Sequence, residues 1–142
     1  MKINIFGSTG VIGRTTLKLI DNNFQNVKVN LICAKSNYRL LKKQIYKYRP
    51  KYAFLYDHKK ITNFEKRIGD TKILKIKELL DYLKSSKSNI SVLAISGYKS
   101  LYMLEEIIQN TDHLGIANKE SIVSAGHIFK KKNYFNKTNI FP

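Results

Sequence analysis

The sequence predicts an α/β fold: a mainly parallel sheet with helices packed on both faces. Three observations predict it. Short runs of β-branched and aromatic residues recur along the chain, segments of helical spacing lie between them, and a glycine-rich turn joins the first run to the first helical segment. Successive strands joined by helices must run parallel, because each return to the sheet needs a crossover, and the crossing helix covers a face.

Ile3-Asn4-Ile5-Phe6 is the first strand, and Ile12, Thr16, Leu19 and Ile20 carry helical spacing up to the polar Asp21-Asn22-Asn23. Val27 to Cys33 is a second strand, rich in β-branched residues. Leu41, Ile45 and Tyr48 mark a helix that Pro50 ends, since a proline disfavours helical backbone at the residue before it. Tyr52 to Tyr56 is a third strand. A helix is predicted from His58 to Ile68 with Gly69 as its stop, then a short strand at Lys72-Ile73-Leu74. Ile76, Leu79, Leu80 and Leu83 fall at i, i+3, i+4 and i+7, an amphipathic stripe. After a polar loop from Ser85 to Asn89, Ile90 to Ile95 is a strand ending in the turn Ser96-Gly97. Leu101, Leu104 and Ile108 give another helix, His113 to Ala117 a strand, and Asn118 opens a last helix through Ile122, Val123 and Phe129. Asn139-Ile140-Phe141-Pro142 reads as the start of a further strand, so the sequence is expected to be a piece of a longer protein.

The 142 residues fit one domain, 1–142. A chain of this size buries about 70% of its unfolded surface and needs no staple. Its single cysteine, Cys33, excludes a disulfide framework and every multi-cysteine metal site. His58, His113 and His127 stand far apart, with only Asp57 and Asp112 as acidic neighbours, so they read as structural or exposed and no metal site is predicted. No apolar run approaches the roughly 20 residues that span a bilayer. Met1 to Phe6 runs straight into the glycine turn without the charged and apolar regions of a secretory leader. A cytoplasmic protein with no membrane partner is expected.

The chain carries 26 Lys+Arg against 10 Asp+Glu, a net +16. A nucleic-acid surface would concentrate cations in a stripe, preferably of Arg for its bidentate grip on phosphate. Here 22 of the 26 are Lys, and the only runs are Lys42-Lys43, Lys59-Lys60 and Lys130-Lys131-Lys132. Lys, Asn and Ile, whose codons are the most AT-rich, make up 53 residues, so mutational bias accounts for the charge and no nucleic-acid partner is expected.

The sharpest motif is Gly7-Ser8-Thr9-Gly10-Val11-Ile12-Gly13, between the first strand and the first helix. Its G-x-x-G-x-x-G spacing is a variant of the dinucleotide fingerprint. Gly7 allows the tight turn, Gly10 lets backbone approach a pyrophosphate, and Gly13 permits close packing of helix on strand. The first helical N–H groups then face the phosphates, aided by the helix dipole. Ser8 and Thr9 are expected to offer hydroxyls at the same edge. The motif makes the fold Rossmann-like and doubly wound.

An NAD site usually ends its second strand with an acid that holds the ribose 2′-hydroxyl. Cys33-Ala34-Lys35-Ser36-Asn37-Tyr38-Arg39 has none. Lys35 and Arg39 are placed to meet a 2′-phosphate, and Ser36 and Asn37 to add neutral hydrogen bonds. One hydrogen bond to a charged group, about 1.5–3 kcal/mol, would favour NADP by roughly ten- to a hundred-fold.

A second signature is Ala117-Asn118-Lys119-Glu120-Ser121. Asn118 suits a helix N-cap and Glu120 suits the positive helix end. Lys119 opposes the dipole there, which marks it as a candidate for contact with an anion.

The glycine motif, followed about a hundred residues later by Asn118-Lys119-Glu120-Ser121, resembles the 1-deoxy-D-xylulose 5-phosphate reductoisomerase family. Arg49-Pro50-Lys51-Tyr52-Ala53 and Ile95-Ser96-Gly97 extend the likeness over essentially the whole chain. The resemblance implies the N-terminal NADPH-binding domain of an enzyme that rearranges 1-deoxy-D-xylulose 5-phosphate and reduces the aldehyde intermediate with NADPH and Mg²⁺ or Mn²⁺, on the methylerythritol phosphate route to isoprenoids. It implies a homodimer at full length. By position, Thr9, Gly10, Val11 and Ile12 would line the pyrophosphate and nicotinamide side, and Lys35, Ser36 and Asn37 the adenosine ribose phosphate. Asn118 and Glu120 would contact the cofactor near the catalytic end, and Lys119 would reach the substrate. No catalytic residue is assigned within the chain. The family usually has Gly where Lys35 stands, and a small glycine-rich turn where Tyr98-Lys99-Ser100 follows Gly97. Its metal-binding carboxylates, in Val-Asp-Ser-Glu-His, lie past the equivalent of Pro142, together with its catalytic and C-terminal domains. The chain alone is therefore expected to be inactive.

Two other classes compete. Another NADP-dependent α/β oxidoreductase, such as a semialdehyde dehydrogenase, needs a nucleophilic Cys in a later domain, and Cys33 lies within a strand. A short-chain reductase needs Tyr-x-x-x-Lys on a helix, and Tyr48 to Tyr52 fails it, with Pro50 inside and Tyr52 at the Lys position. A non-enzymatic dinucleotide-binding module or sensor would use the same glycine turn without a catalytic half, and a nucleic-acid module would show steep salt dependence.

Overall fold

Ile3, Ile5 and Phe6 are almost wholly buried, on alternate faces of one strand, and that strand is the middle of the molecule. A computed structural model describes residues 1–97, 102–132 and 138–142. In chain order the elements are β1 (Lys2–Phe6), α1 (Val11–Asn23), β2 (Lys28–Ala34), α2 (Tyr38–Tyr48), β3 (Tyr52–Leu55), β4 (Arg67–Ile68), β5 (Thr71–Ile73), α3 (Ile76–Ser85), β6 (Ser88–Leu93), α4 (Leu104–Asn110), β7 (Thr111–Ile116), α5 (Lys119–Lys132) and β8 (Asn139–Phe141).

The strands form one sheet of order β4-β5-β3-β2-β1-β6-β7-β8. Leaving aside β5 and β4 at one edge, the order is 3-2-1-4-5-6, that of the doubly wound dinucleotide-binding fold. Every pair is parallel except β4 with β5. Two apolar cores fill the two faces. Leu17 and Ile20 of α1 and Leu41 and Ile45 of α2 pack on one with Ile3, Ile5 and Ile32. Leu79 and Leu83 of α3 and Leu104, Ile107 and Ile108 of α4 pack on the other with Phe6, Leu31 and Leu93. The expected mainly parallel sheet with helices on both faces is what forms. A strand buried on both sides must read as near-continuous apolar sequence, and β1 and β2 do so past their first residue, with Asn4 and Asn30 as the exceptions.

One polar seam crosses the second core. A bulge between β1 and β2 gives Asn30 no partner in register, and its Nδ2 donates to the Tyr82 hydroxyl at 2.6 Å. The Tyr82 hydroxyl in turn donates to Asn4 Oδ1, and Asn4 Nδ2 to Asn110 Oδ1 at 3.1 Å. Among the described residues no buried side-chain N or O lacks a partner, so this seam is satisfied.

Several boundaries and one element differ from the expectation. α2 ends on Arg49 in a left-handed C-cap, φ 47°, with its N–H on the Ile45 carbonyl, one residue before Pro50. β6 starts at Ser88, inside the expected loop, and β7 at Thr111, before His113. The helix expected over His58 to Ile68 does not form. A single 3₁₀ turn covers His58–Lys60, and Arg67–Ile68 instead pairs with Thr71–Ile73 as a hairpin. Asn63 at φ 59° breaks any helix there, and Phe64 packs between the rings of Tyr38 and His58, tilted to both. The helix expected from Leu101 begins at Leu104, and Leu101 with Tyr98-Lys99-Ser100 lies outside the described residues. The side chains of Phe129 and the Lys130 run also lie outside them. Asn139–Phe141 pairs with β7 as the expected last strand.

Candidate functional site

The carboxyl ends of β1 and β6 are neighbours, Phe6 against Leu93, while their crossover helices lie on opposite faces. A crevice opens at such a switch point, and doubly wound folds bind ligands there. Gly7 leaves β1 at φ 99°, and a Cβ on it would lie 2.5 Å from the Ala94 carbonyl oxygen. A Cβ on Gly13 would lie 2.1 Å from the Gly7 carbonyl oxygen and 2.6 Å from Ser8 Cα. The fold itself demands both glycines. Gly10 is different. Its φ is an ordinary −74°, and an added Cβ would meet only the Gly7 oxygen, at a comfortable 3.5 Å. The space in front of Gly10 is open.

Gly10 is also the N-cap of α1, so no side chain caps the first-turn N–H groups, and no acid stands in that turn. These donors and the positive end of the dipole face the crevice, an arrangement that suits an anion. Beside them Val11 is 72% exposed and Ile12 46% exposed, apolar side chains left uncovered at the helix start. Thr9 is half-buried at the same edge. Ser8 is not at that edge: it is fully buried, and its Oγ donates to Gln44 Oε1 at 2.8 Å. This corrects the expectation that Ser8 offers a hydroxyl outward. Gln44 of α2 went unnoticed in the sequence, although a Gln on the buried stripe between Leu41 and Ile45 is the kind of anomaly that signals a polar contact.

After β2, Lys35, Ser36, Asn37 and Arg39 are all exposed at the same end of the sheet. Asn37 has a structural task, its Oδ1 capping α2 by accepting the Leu40 N–H at 3.0 Å. The Lys35 carbonyl accepts the N–H of Asp57, which follows β3. Between that point and the start of α3 lies a hollow of about 460 Å³ lined by Tyr56, Asp57, Ile76, Leu80, Tyr102 and Met103, mostly apolar. No motif in the sequence announces it, since its walls come from three separate stretches of chain.

At the end of β7, Asn118 links two elements: its Nδ2 donates to the Ile95 carbonyl beyond β6, and its Oδ1 accepts the Ser121 N–H at 2.6 Å as the cap of α5. The expected cap is therefore present, and the side-chain amide is spent on the fold. Lys119 and Glu120 stand exposed on the first turn. β7 lies two strands from β1, about 10 Å away at normal sheet spacing, so this turn and the glycine turn flank one crevice.

The Tyr-x-x-x-Lys spacing does occur on a helix, at Tyr38 and Lys42 of α2, which the sequence reading passed over. Both are engaged by Glu65: the Tyr38 hydroxyl accepts its N–H, and Lys42 pairs with its carboxylate. Cys33 is wholly buried and burial pushes its thiol well up, so it is no nucleophile. Among the described residues no three His, Cys, Asp or Glu gather as a metal site.

Comparison with known proteins fits this geometry. Residues 3–126 match the family model described as 1-deoxy-D-xylulose 5-phosphate reductoisomerase. The enzyme of that name from Thermodesulfovibrio yellowstonii is 33% identical over 142 residues, and that from Pelagibacter ubique 34% over 146, each covering 99% of this chain. In both cases the chain spans 37% of the relative's length. Among solved structures, the Zymomonas mobilis reductoisomerase in complex with NADPH superposes with a TM-score of 0.82 at 24% identity, covering 99% of this chain and 38% of that one. A reductoisomerase in complex with NADPH, fosmidomycin and magnesium gives 0.83 at 23%, covering 100% of this chain and 36% of that one. At those identities the likeness speaks for the fold.

Proposed function

The chain belongs to the 1-deoxy-D-xylulose 5-phosphate reductoisomerase family, and from that premise we propose that it is the NADPH-binding portion of an enzyme that rearranges 1-deoxy-D-xylulose 5-phosphate and reduces the product to 2-C-methyl-D-erythritol 4-phosphate. The observation that carries the cofactor part is Gly10: the fold explains Gly7 and Gly13, while the open space at Gly10, before an uncapped helix start, suits a pyrophosphate.

When bound, NADPH supplies the hydride. The chain's own residues bind and orient it. The N–H groups at the start of α1, with Thr9 and Gly10, hold the pyrophosphate, and Val11 and Ile12 cover the nicotinamide side and keep water from it. Lys35, Ser36 and Asn37 receive the ribose 2′-phosphate, with Arg39 nearby, and the hollow walled by Tyr56 and Leu80 is apolar enough for the adenine ring. Asn118 contributes through the position it gives α5, with Glu120 on the same turn facing the cofactor. Lys119 offers its cation to the anionic substrate, which relieves its opposition to the helix dipole.

The described residues offer no metal site, so no step is assigned here to the divalent ion; its carboxylates are placed in the part of the relatives that this chain does not span, and the chain alone is proposed to be inactive. At full family length the enzyme would act as a homodimer. No described helix is long and apolar enough to cross a membrane. The lone buried cysteine suits a reducing compartment, and a cytoplasmic location is part of this proposal.

Thermal unfolding with NADPH and with NADH tests the cofactor reading. At a hundred times its dissociation constant a ligand adds about 2.7 kcal/mol, which raises the midpoint by roughly 8–12 °C in a domain of this size. NADPH is expected to do so at far lower concentration than NADH. No shift with either in a folded sample would defeat the reading.

A further inference from the structure

Apart from its glycines, Ser8 is the one residue of the Gly7–Gly13 turn that is buried, and every polar group it has is held. Its N–H donates to the Cys33 carbonyl at 2.9 Å, beside the Gly7 N–H at 2.8 Å on the same oxygen. Its Oγ donates to Gln44 Oε1 and its carbonyl accepts from Gln44 Nε2, both at 2.8 Å. The carbonyl can only accept, which fixes which way round the Gln44 amide sits. Gln44 is 5% exposed on the core face of α2, where an apolar residue would avoid the cost of burying an amide. The amide returns that cost in geometry. With the inner side of the turn satisfied, Thr9 and Gly10 are left on the outer side, toward the open space.

We propose that Gln44 is a positioning residue for the phosphate-facing glycine turn, acting through Ser8 and never touching ligand. Gln44 bonds only to Ser8 of the turn, while the start of α2 beside Lys35 and Ser36 is held separately by the Asn37 cap. The inference rests on the NADPH reading for its ligand and on hydrogen bonds within the chain for its mechanism.

The test compares wild type with Gln44→Met, similar in length and apolar, and with Ser8→Ala, which removes only the hydroxyl. The probes are NADPH and adenosine 2′-monophosphate, which has the 2′-phosphate and no pyrophosphate. Gln44→Met is expected to weaken NADPH at least ten-fold while adenosine 2′-monophosphate stays within two-fold, and Ser8→Ala to weaken NADPH by a smaller factor, about three-fold. In the ligand-free chain, NMR relaxation of the Thr9 and Gly10 amides should show lost order in Gln44→Met. NADPH affinity unchanged in a folded Gln44→Met, or equal loss of both ligands, would overturn the proposal. If wild type ignores NADPH, the cofactor reading fails, and the amide relaxation then decides alone: unchanged order in Gln44→Met, or in Ser8→Ala should the first variant not fold, overturns the positioning role.

Discussion

The carbonyl oxygen of Gly7 occupies the place that a side chain on Gly13 would need, 2.1 Å from where the Cβ would stand. The contact welds the start of α1 to the turn that leaves β1, and backbone on both sides leaves no room to yield. Gly13→Ala should therefore cost several kcal/mol, in the range of severe overpacking, and leave little folded protein. Gly10→Ala has room. As the N-cap of α1 it should cost no more than about 1 kcal/mol, keeping the unfolding midpoint within about 4 °C, and lose NADPH affinity at least ten-fold. Midpoints and titrations of the two variants separate a glycine kept for the fold from one kept for a ligand; equal behaviour would contradict that division.

That division was only partly legible in the sequence. The motif's spacing gives three glycines of equal standing, and only the placement of Ala94 and Ser8 shows which ones the fold requires. Most strands were readable, because two-sided burial writes β1 and β2 as largely apolar, β-branched runs, whereas the strand order comes only from the pairing. The stretch from His58 to Ile68 misled because its apolar residues suit a helix, while its outcome depends on Phe64 packing between Tyr38 and His58. Gly69-Asp70 between Ile68 and Thr71 was a two-residue hairpin signal that went unused. Of the candidate site residues, Gly10, Lys35 and Lys119 are exposed. Ser8 turned inward and Asn118 engaged at both ends, since hydrogen-bond partners distant in sequence leave no local trace.

Cofactor choice should follow Lys35. Lys35→Asp removes a cation from the end of β2 and supplies the acid that a ribose 2′-hydroxyl prefers. NADPH affinity should fall roughly ten- to a hundred-fold, the worth of one charge-assisted hydrogen bond, while NADH affinity holds or rises. Fluorescence titration with both nucleotides checks it, and parallel loss of both would remove Lys35 from the discrimination.

Lys119→Ala, placed in a chain of full family length, should leave the dissociation constant of NADPH within two-fold and lower turnover at least a hundred-fold. Steady-state kinetics with direct cofactor binding reads both. Turnover at the wild-type rate would take Lys119 out of the substrate site.

Alkaline pH should expose the buried phenols. Burial raises Tyr56 and Tyr82 above the ordinary range near pH 10, and Tyr82 also hydrogen-bonds Asn4 and Asn30. In the folded state both keep protons that the unfolded chain gives up, so their contribution to stability is complete below about pH 10 and is lost as pH rises. At about pH 11 the phenolate absorbance of the folded chain should fall short of that of the urea-unfolded chain. Full ionisation without unfolding would contradict the burial of both rings.

The most direct test of the account is an amide map of the chain titrated with NADPH. The largest shifts should fall on Thr9, Gly10, Val11 and Ile12, followed by Lys35 to Asn37, with saturation at one equivalent. Saturable binding whose shifts avoid the turn from Gly7 to Gly13, or no shift at any concentration, would contradict it.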